Sequence, residues 1–153
     1  MDTRELSYHI PSAATSLPAP HRPTLLVADD DANVRAFVAA TLCRNYLVLE
    51  ASNGLEAIGL IALDRNPIKL VISDIEMPHL GGLDVAEWLG DRHPTMKLLL
   101  MSGRANDDTV SDRLGRTDVP FLSKPFRAAL LTETVRTLIS EPAEATETPT
   151  AGL

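Results

Sequence analysis

The stretch Lys69-Leu70-Val71-Ile72-Ser73-Asp74 places the tightest constraint on how this chain can fold. Its apolar residues are consecutive, bounded by Lys69 on one side and by the Pro/Gly cluster Met77-Pro78-His79-Leu80-Gly81-Gly82 on the other. A strand with no polar face must be buried on both faces, which is the situation in a parallel sheet with helices on each side. The run stops at Asp74, and the C-terminal end of a parallel strand opens into the crevice where α/β sheets bind ligands. Taken alone, an aspartate at that point reads equally well as a turn residue. The rest of the chain decides between the two.

Four other short apolar runs share this character. Thr24-Leu25-Leu26-Val27-Ala28 ends in the acids Asp29-Asp30-Asp31, and Tyr46-Leu47-Val48-Leu49-Glu50-Ala51 ends before the Asn53-Gly54 turn. Lys97-Leu98-Leu99-Leu100-Met101 stops at Ser102-Gly103, and Pro120-Phe121-Leu122-Ser123 stops at Lys124-Pro125. The segments between them carry helical periodicity. Val34, Phe37, Val38, Thr41 and Leu42 line one face of a first helix, punctuated by Asn45. A second helix spans 55–64 with Ile58, Ile61 and Ala62 inward, closed by Asn66-Pro67. A third covers about 83–92 with Val85, Ala86 and Leu89 inward. The fourth, around 107–115, is thin, with Val110 and Leu114 as its large apolar residues; the last, about 126–140, presents Ala128, Leu131, Val135 and Leu138.

Five strands alternating with five helices predict an α/β sandwich, a parallel five-stranded sheet covered on both faces by right-handed crossovers. Aromatic residues are only 4% of the chain against 44% apolar residues overall, so the core has to be aliphatic. The net charge of −7 argues against non-specific binding to nucleic acid or to anionic membranes. Asp2, Arg4 and Glu5 with no apolar stretch behind them do not make a signal peptide, and no run approaches the ~18 residues of a membrane span. A cytoplasmic location is the expectation. Cys43 is the single cysteine, which excludes an intramolecular disulfide, and its place in a helical pattern predicts burial. Residues 1–22 and 142–153 are rich in Pro, Ala, Ser and Thr without periodicity, and are expected to be flexible tails around one domain, residues 23–141.

In that architecture Asp29, Asp30, Asp74, Ser102 and Lys124 all fall at one edge of the sheet. Carboxylates so close repel one another, and one must hold a proton unless a cation joins them. An all-oxygen set with room for water suits Mg²⁺. With its charge neutralised, Asp74 can act as a carboxylate nucleophile and accept a phosphoryl group. Phosphoryl transfer asks mostly for positioning and for neutralised oxygens, which Ser102, Lys124 and backbone N–H groups can help supply. Each residue separately has an ordinary structural reading: helix caps for the acidic triplet, a loop hydroxyl for Ser102, a solvated charge for Lys124.

The combination resembles the receiver domain of two-component response regulators, over about residues 24–140. Leu25-Leu26-Val27-Ala28-Asp29-Asp30-Asp31 is similar to that family's first strand and acidic pair, and Val71-Ile72-Ser73-Asp74-Ile75-Glu76-Met77-Pro78 with Gly81-Gly82 to its phosphoacceptor strand and loop. Leu100-Met101-Ser102-Gly103 and Phe121-Leu122-Ser123-Lys124-Pro125-Phe126 are similar to its hydroxyl and lysine motifs, in the family's order. The resemblance implies a flavodoxin-like doubly wound (βα)5 three-layer sandwich of strand order 2-1-3-4-5. It implies phosphorylation of Asp74 by a histidine kinase or phosphotransfer protein, and Mg²⁺ held by Asp29, Asp30, Asp74 and the backbone carbonyl of Glu76. Ser102 and Lys124 would grip the phosphoryl oxygens, Lys124-Pro125 would be cis, and Phe121 would be the aromatic that turns inward with Ser102. Glu76 and Arg104 would overhang the phosphoryl group as a lid.

No DNA-binding or catalytic segment follows residue 141, so the expectation is a stand-alone receiver that docks to another protein through helix 4, strand 5 and helix 5, relays phosphate, or pairs as a homodimer. Two readings from other classes stand beside it. One is a small Mg²⁺-dependent phosphatase with an aspartyl nucleophile, for which Glu76 would be the second acid. The other is a flavodoxin-like cofactor binder, against which the first strand lacks a Ser/Thr/Gly phosphate loop.

Overall fold

The computed structural model describes residues 21–63, 67–104 and 107–142. Of the tails expected at 1–22 and 142–153, residues 1–20 and 143–153 lie outside the described residues, as does the helix-ending Asn66. Five strands and five helices alternate: β1 (Thr24–Ala28), α1 (Ala32–Leu42), β2 (Leu47–Ala51), α2 (Gly54–Ala62), β3 (Ile68–Asp74), α3 (Gly82–Arg92), β4 (Lys97–Ser102), α4 (Asp107–Leu114), β5 (Phe121–Ser123) and α5 (Ala128–Ser140). All strand pairs are parallel and the order is β2-β1-β3-β4-β5. The sequence direction reverses between β1 and β3, which is the topological switch point where such sheets leave a crevice.

The central strands are apolar on both faces because both faces are covered. Leu25 and Val27 of β1, Leu70 and Ile72 of β3, and Leu99 and Met101 of β4 pack with Val38 and Leu42 of α1 and Leu131 and Val135 of α5. The intervening residues turn the other way: Leu26, Ala28 and Val71 meet Ala57 and Ile61 of α2 and Val85 and Leu89 of α3. Leu100 meets Leu83 and Val110, and this small cluster, with Leu114 partly buried against it, is what seats α4. Every β1 residue is buried, whereas Leu47 on the edge strand β2 is exposed, as its single covered side dictates.

Local signals explain most helix ends. The Asp31 side chain accepts the Asn33 N–H (2.8 Å) and starts α1; that of Asn53 accepts the Glu56 N–H (2.8 Å) and starts α2. Gly81 and Gly82 permit a close approach, since a Cβ at Gly82 would strike the Asp74 carbonyl and one at Gly81 the Ile75 carbonyl. The N-terminus of α3 is thereby drawn tight under the end of β3.

Five expectations are corrected. Cys43 is exposed at the C-cap of α1, one residue beyond the buried Leu42, and not in the core. Ala62 and Ala128 face outward, with Ala57 and Leu131 taking the inward positions. Phe37 is 41% exposed and leans on Phe126, ring centroids 6.1 Å apart, at the rim between α1 and α5. The last helix begins at Ala128 because Phe126 and Arg127 still belong to the connection from Pro125. Arg22, assigned to the flexible tail, donates from its guanidinium to the Cys43 carbonyl (2.9 Å).

Candidate functional site

Strand register sets the site. Ala28 pairs with Ser73, so Asp29, the next residue, leaves β1 level with Asp74. Asp74 pairs with Met101, which puts Ser102 one step further out, and Ser102 pairs with Ser123, one residue before Lys124. Four strand ends therefore deliver an acid, an acid, a hydroxyl and an ammonium to one crevice.

Asp29 and Asp74 are buried and Asp30 is exposed, yet one carboxylate oxygen from each lies within 4.8 Å of the others. Asp31, third in the acidic run, is committed to capping α1 and stands outside this group. The Lys124 ammonium donates to Asp29 Oδ2 at 2.7 Å and sits 3.4 Å from Asp74 Oδ2. Asp29 Oδ1 accepts the Asp31 N–H at 2.9 Å, and the Glu76 N–H donates to the Asp74 carboxylate.

The electrostatics follow from three carboxylates facing one ammonium. Burial first, and the charge of Asp29 second, push the Asp74 carboxyl up from its ordinary 3.8 to about 6, against the pull of Lys124. Burial opposes the charge on Lys124, but its bond to Asp29 and the charges of Asp74 and Asp29 outweigh this and raise its pKa. The crevice is thus short of positive charge. An all-oxygen donor set of two buried acids and one solvent-facing acid fits a hard divalent cation that keeps part of its water shell.

Ser102 is buried; its Oγ accepts the Arg104 N–H (3.0 Å) and its carbonyl accepts the Lys124 N–H (2.8 Å), which ties the β4 and β5 ends together. A Cβ at Gly103 would meet only Lys124 Cβ, at 3.9 Å, so the small residue keeps this side open. The Lys124-Pro125 bond is cis. Glu76 and Arg104 come within 3.9 Å of each other, their side chains 49% and 85% exposed. Phe121 is partly buried against the cluster of Leu83, Leu100 and Val110. Seven of the eight residues singled out from sequence therefore lie in or beside the crevice, whereas Phe121 pairs with Leu100, two residues before the strand end at Ser102, and packs beneath α4.

Two residues that sequence reasoning passed over also belong to its surroundings. The Arg35 guanidinium donates to the Asp29 carbonyl (2.7 Å) and lies 3.7 Å from Glu50. Asp84 accepts the Gly81 N–H through one oxygen (3.0 Å) and pairs with Arg113 of α4 through the other (2.8 Å). A basic residue in the opening turn of α1, next to an acidic run, was the available signal for Arg35. Nothing in the sequence pattern pointed to the Arg113 contact between α3 and α4.

The fold and this edge define a doubly wound domain with an acidic, lysine-bearing crevice at its switch point. The sequence profile of the response regulator receiver domain matches residues 25–136, and the chain belongs to that family. Response regulator MprA of Mycobacterium tuberculosis is 36% identical over 129 residues, covering 80% of this chain and 54% of MprA. Sensor kinase CckA of Brucella abortus is 32% identical over 117 residues, 76% of this chain but 12% of CckA. The chain thus spans about half of one relative and a small part of the other. Among solved structures, a response regulator receiver protein from Sinorhizobium medicae is 31% identical with a TM-score of 0.68, covering 76% of this chain and 94% of that one. The receiver domain of NtrX from Brucella abortus is 29% identical with a TM-score of 0.67, covering 75% and 97%. Family membership takes precedence over the phosphatase and flavin-binding readings. No helix among the described residues is long and apolar enough to cross a membrane.

Proposed function

We propose that this domain accepts a phosphoryl group on Asp74 from a phosphorylated histidine of a kinase or phosphotransfer protein. The observation that carries the reading is the Lys124 ammonium held by Asp29 within 3.4 Å of Asp74 Oδ2, at the mouth of an otherwise acidic crevice. An oxygen of the Asp74 carboxylate attacks phosphorus; the O–P bond forms as the P–N bond to the donor imidazole breaks, and the imidazole leaves with a proton. The Lys124 ammonium neutralises one phosphoryl oxygen as charge builds on the group. The Ser102 hydroxyl donates to a second. Asp29, Asp30, Asp74 and the Glu76 carbonyl would hold Mg²⁺, which when bound supplies the positive charge this crevice lacks and neutralises phosphoryl oxygens. The domain assists its own phosphorylation and dephosphorylation and turns over no other substrate.

Readout runs through α4, β5 and α5. When Ser102 moves toward the phosphoryl group, Phe121 turns further inward, guided by packing because its ring has no hydroxyl. A cavity of about 220 Å³ lined by Val110, Ser111, Val119 and Phe121 leaves room for α4 to resettle. The face so altered binds an output protein or a second copy of the domain, in the cytoplasm and without direct contact to DNA. Glu76 and Arg104 form a lid over the phosphoryl group and slow its hydrolysis. The test is phosphotransfer profiling: purified domain is mixed with radiolabelled histidine kinases and phosphotransfer proteins from the same organism. Rapid transfer from one donor is expected, abolished in Asp74→Asn; transfer to Asp74→Asn at the wild-type rate overturns the assignment.

A further inference from the structure

We propose that Arg35 is the positioning residue of the cation site, acting through the backbone of Asp29. The inference rests on the reading that Asp29, Asp30 and Asp74 hold a divalent cation. Every polar atom of Asp29 has a fixed partner. Its N–H donates to the Ala51 carbonyl (3.1 Å), Oδ1 accepts from Asp31 N–H (2.9 Å), Oδ2 accepts from Lys124 (2.7 Å), and its carbonyl accepts from Arg35 (2.7 Å). Three of these partners are backbone groups or belong to the crevice itself. Arg35 is the one that reaches in from a helix.

Its geometry suits that task. Arg35 lies in the opening turn of α1, where Cα–Cβ bonds tilt toward the helix N-terminus, so a long side chain runs back over the residues that precede the helix. A cation there opposes the helix dipole, and the first turn of α1 holds no acid to compensate. The side chain is nonetheless four-fifths buried, held between the Asp29 carbonyl and Glu50 of β2. Asp30, by contrast, is exposed and inherits its position from the peptide that Arg35 fixes. A cation that needs oxygens from both Asp29 and Asp30 depends on that peptide. Groups that orient metal ligands through such outer hydrogen bonds typically change affinity by roughly tenfold or more when removed.

The test is calorimetric titration of the unphosphorylated domain with Mg²⁺, for wild type, Arg35→Met and Glu50→Gln, with melting curves in parallel. Arg35→Met is expected to weaken Mg²⁺ binding about tenfold while the phosphorylation rate from acetyl phosphate at saturating Mg²⁺ stays within about twofold of wild type. Glu50→Gln, which spares the Asp29 contact, should keep the wild-type affinity. If Arg35→Met fails to melt cooperatively, Arg35→Gln, too short to hold the carbonyl but still polar, takes its place with the same expectation. Wild-type affinity in the Arg35 variant overturns the inference alone, as does an equal loss in Glu50→Gln, which would indicate a general charge effect. A wild type that binds no Mg²⁺ overturns the cation site and this inference with it.

Discussion

Removing the charge of Asp74 should stabilise the domain near neutral pH when no divalent cation is present. The Asp74 carboxyl is raised from 3.8 to about 6, first by burial and then by Asp29. A folded-state pKa above the unfolded value means that the folded domain holds this proton more tightly than the unfolded chain does. The resulting stabilisation is complete below about pH 4 and disappears as pH rises through about 6. Relative to a neutral side chain, ionised Asp74 then costs on the order of 3 kcal/mol, at 1.36 kcal/mol per pKa unit. The crevice opens to water, and screening reduces this to about 1–2 kcal/mol. Asn is isosteric, cannot ionise and can still accept the Glu76 N–H. Asp74→Asn is therefore expected to melt several degrees above wild type at pH 7.5 in EDTA, with the gap shrinking to about a third at pH 4.5 and closing only below about pH 4. Added Mg²⁺ should narrow the gap at pH 7.5, because it stabilises only the site that retains its third carboxylate. Equal melting temperatures at pH 7.5, or a gap of the same size at pH 4.5, would refute the electrostatic argument.

Three further outcomes are expected. Phospho-Asp74 should decay faster in Glu76→Ala and in Arg104→Ala, by up to about fivefold since so exposed a pair is worth at most about 1 kcal/mol, with the double mutant no faster than the quicker single; additive effects in a decay assay exclude a lid pair. Arg113→Ala should raise amide exchange in α4, which has Val110 and Leu114 as its apolar anchors and loses its ties to Asp84 and Glu87; unchanged exchange by mass spectrometry means that packing alone holds the helix. Phosphorylation should alter exchange around Ser102-Gly103 and in α4, and silence there in a fully phosphorylated sample would leave relay or storage of phosphate as the domain's use.

The fold was legible because strands buried on both faces are written as continuous apolar runs, and β1, β3 and β4 begin and end within a residue of the sequence reading. The strand order was not written in any one segment; it entered through the resemblance. Helix faces were read well where large residues mark them, as at Val38, Leu42, Val85 and Leu89. They failed at Ala62 and Ala128, whose methyl groups bury too little area to fix a helix orientation. Cys43 was misplaced because α1 ends at Leu42 and its neighbour turns to solvent. The crevice residues were legible because each ends a strand. Arg35 escaped since its role lies in a bond to a backbone carbonyl, which leaves no trace in residue type beyond an adverse charge at a helix start.

The central claim is that Asp74 is the residue that carries the phosphoryl group. An acyl phosphate, unlike a free carboxylate, is reduced by borohydride to the alcohol, which converts aspartate to homoserine. The domain is incubated with Mg²⁺ and acetyl phosphate, quenched with borohydride, digested and sequenced by mass spectrometry. Homoserine is expected at position 74 alone, and absent without Mg²⁺ or in Lys124→Ala to the extent that the reaction slows. Homoserine at Asp29 or Asp30 with Asp74 unmodified, or no conversion in a protein whose melting temperature responds to Mg²⁺, would contradict the account.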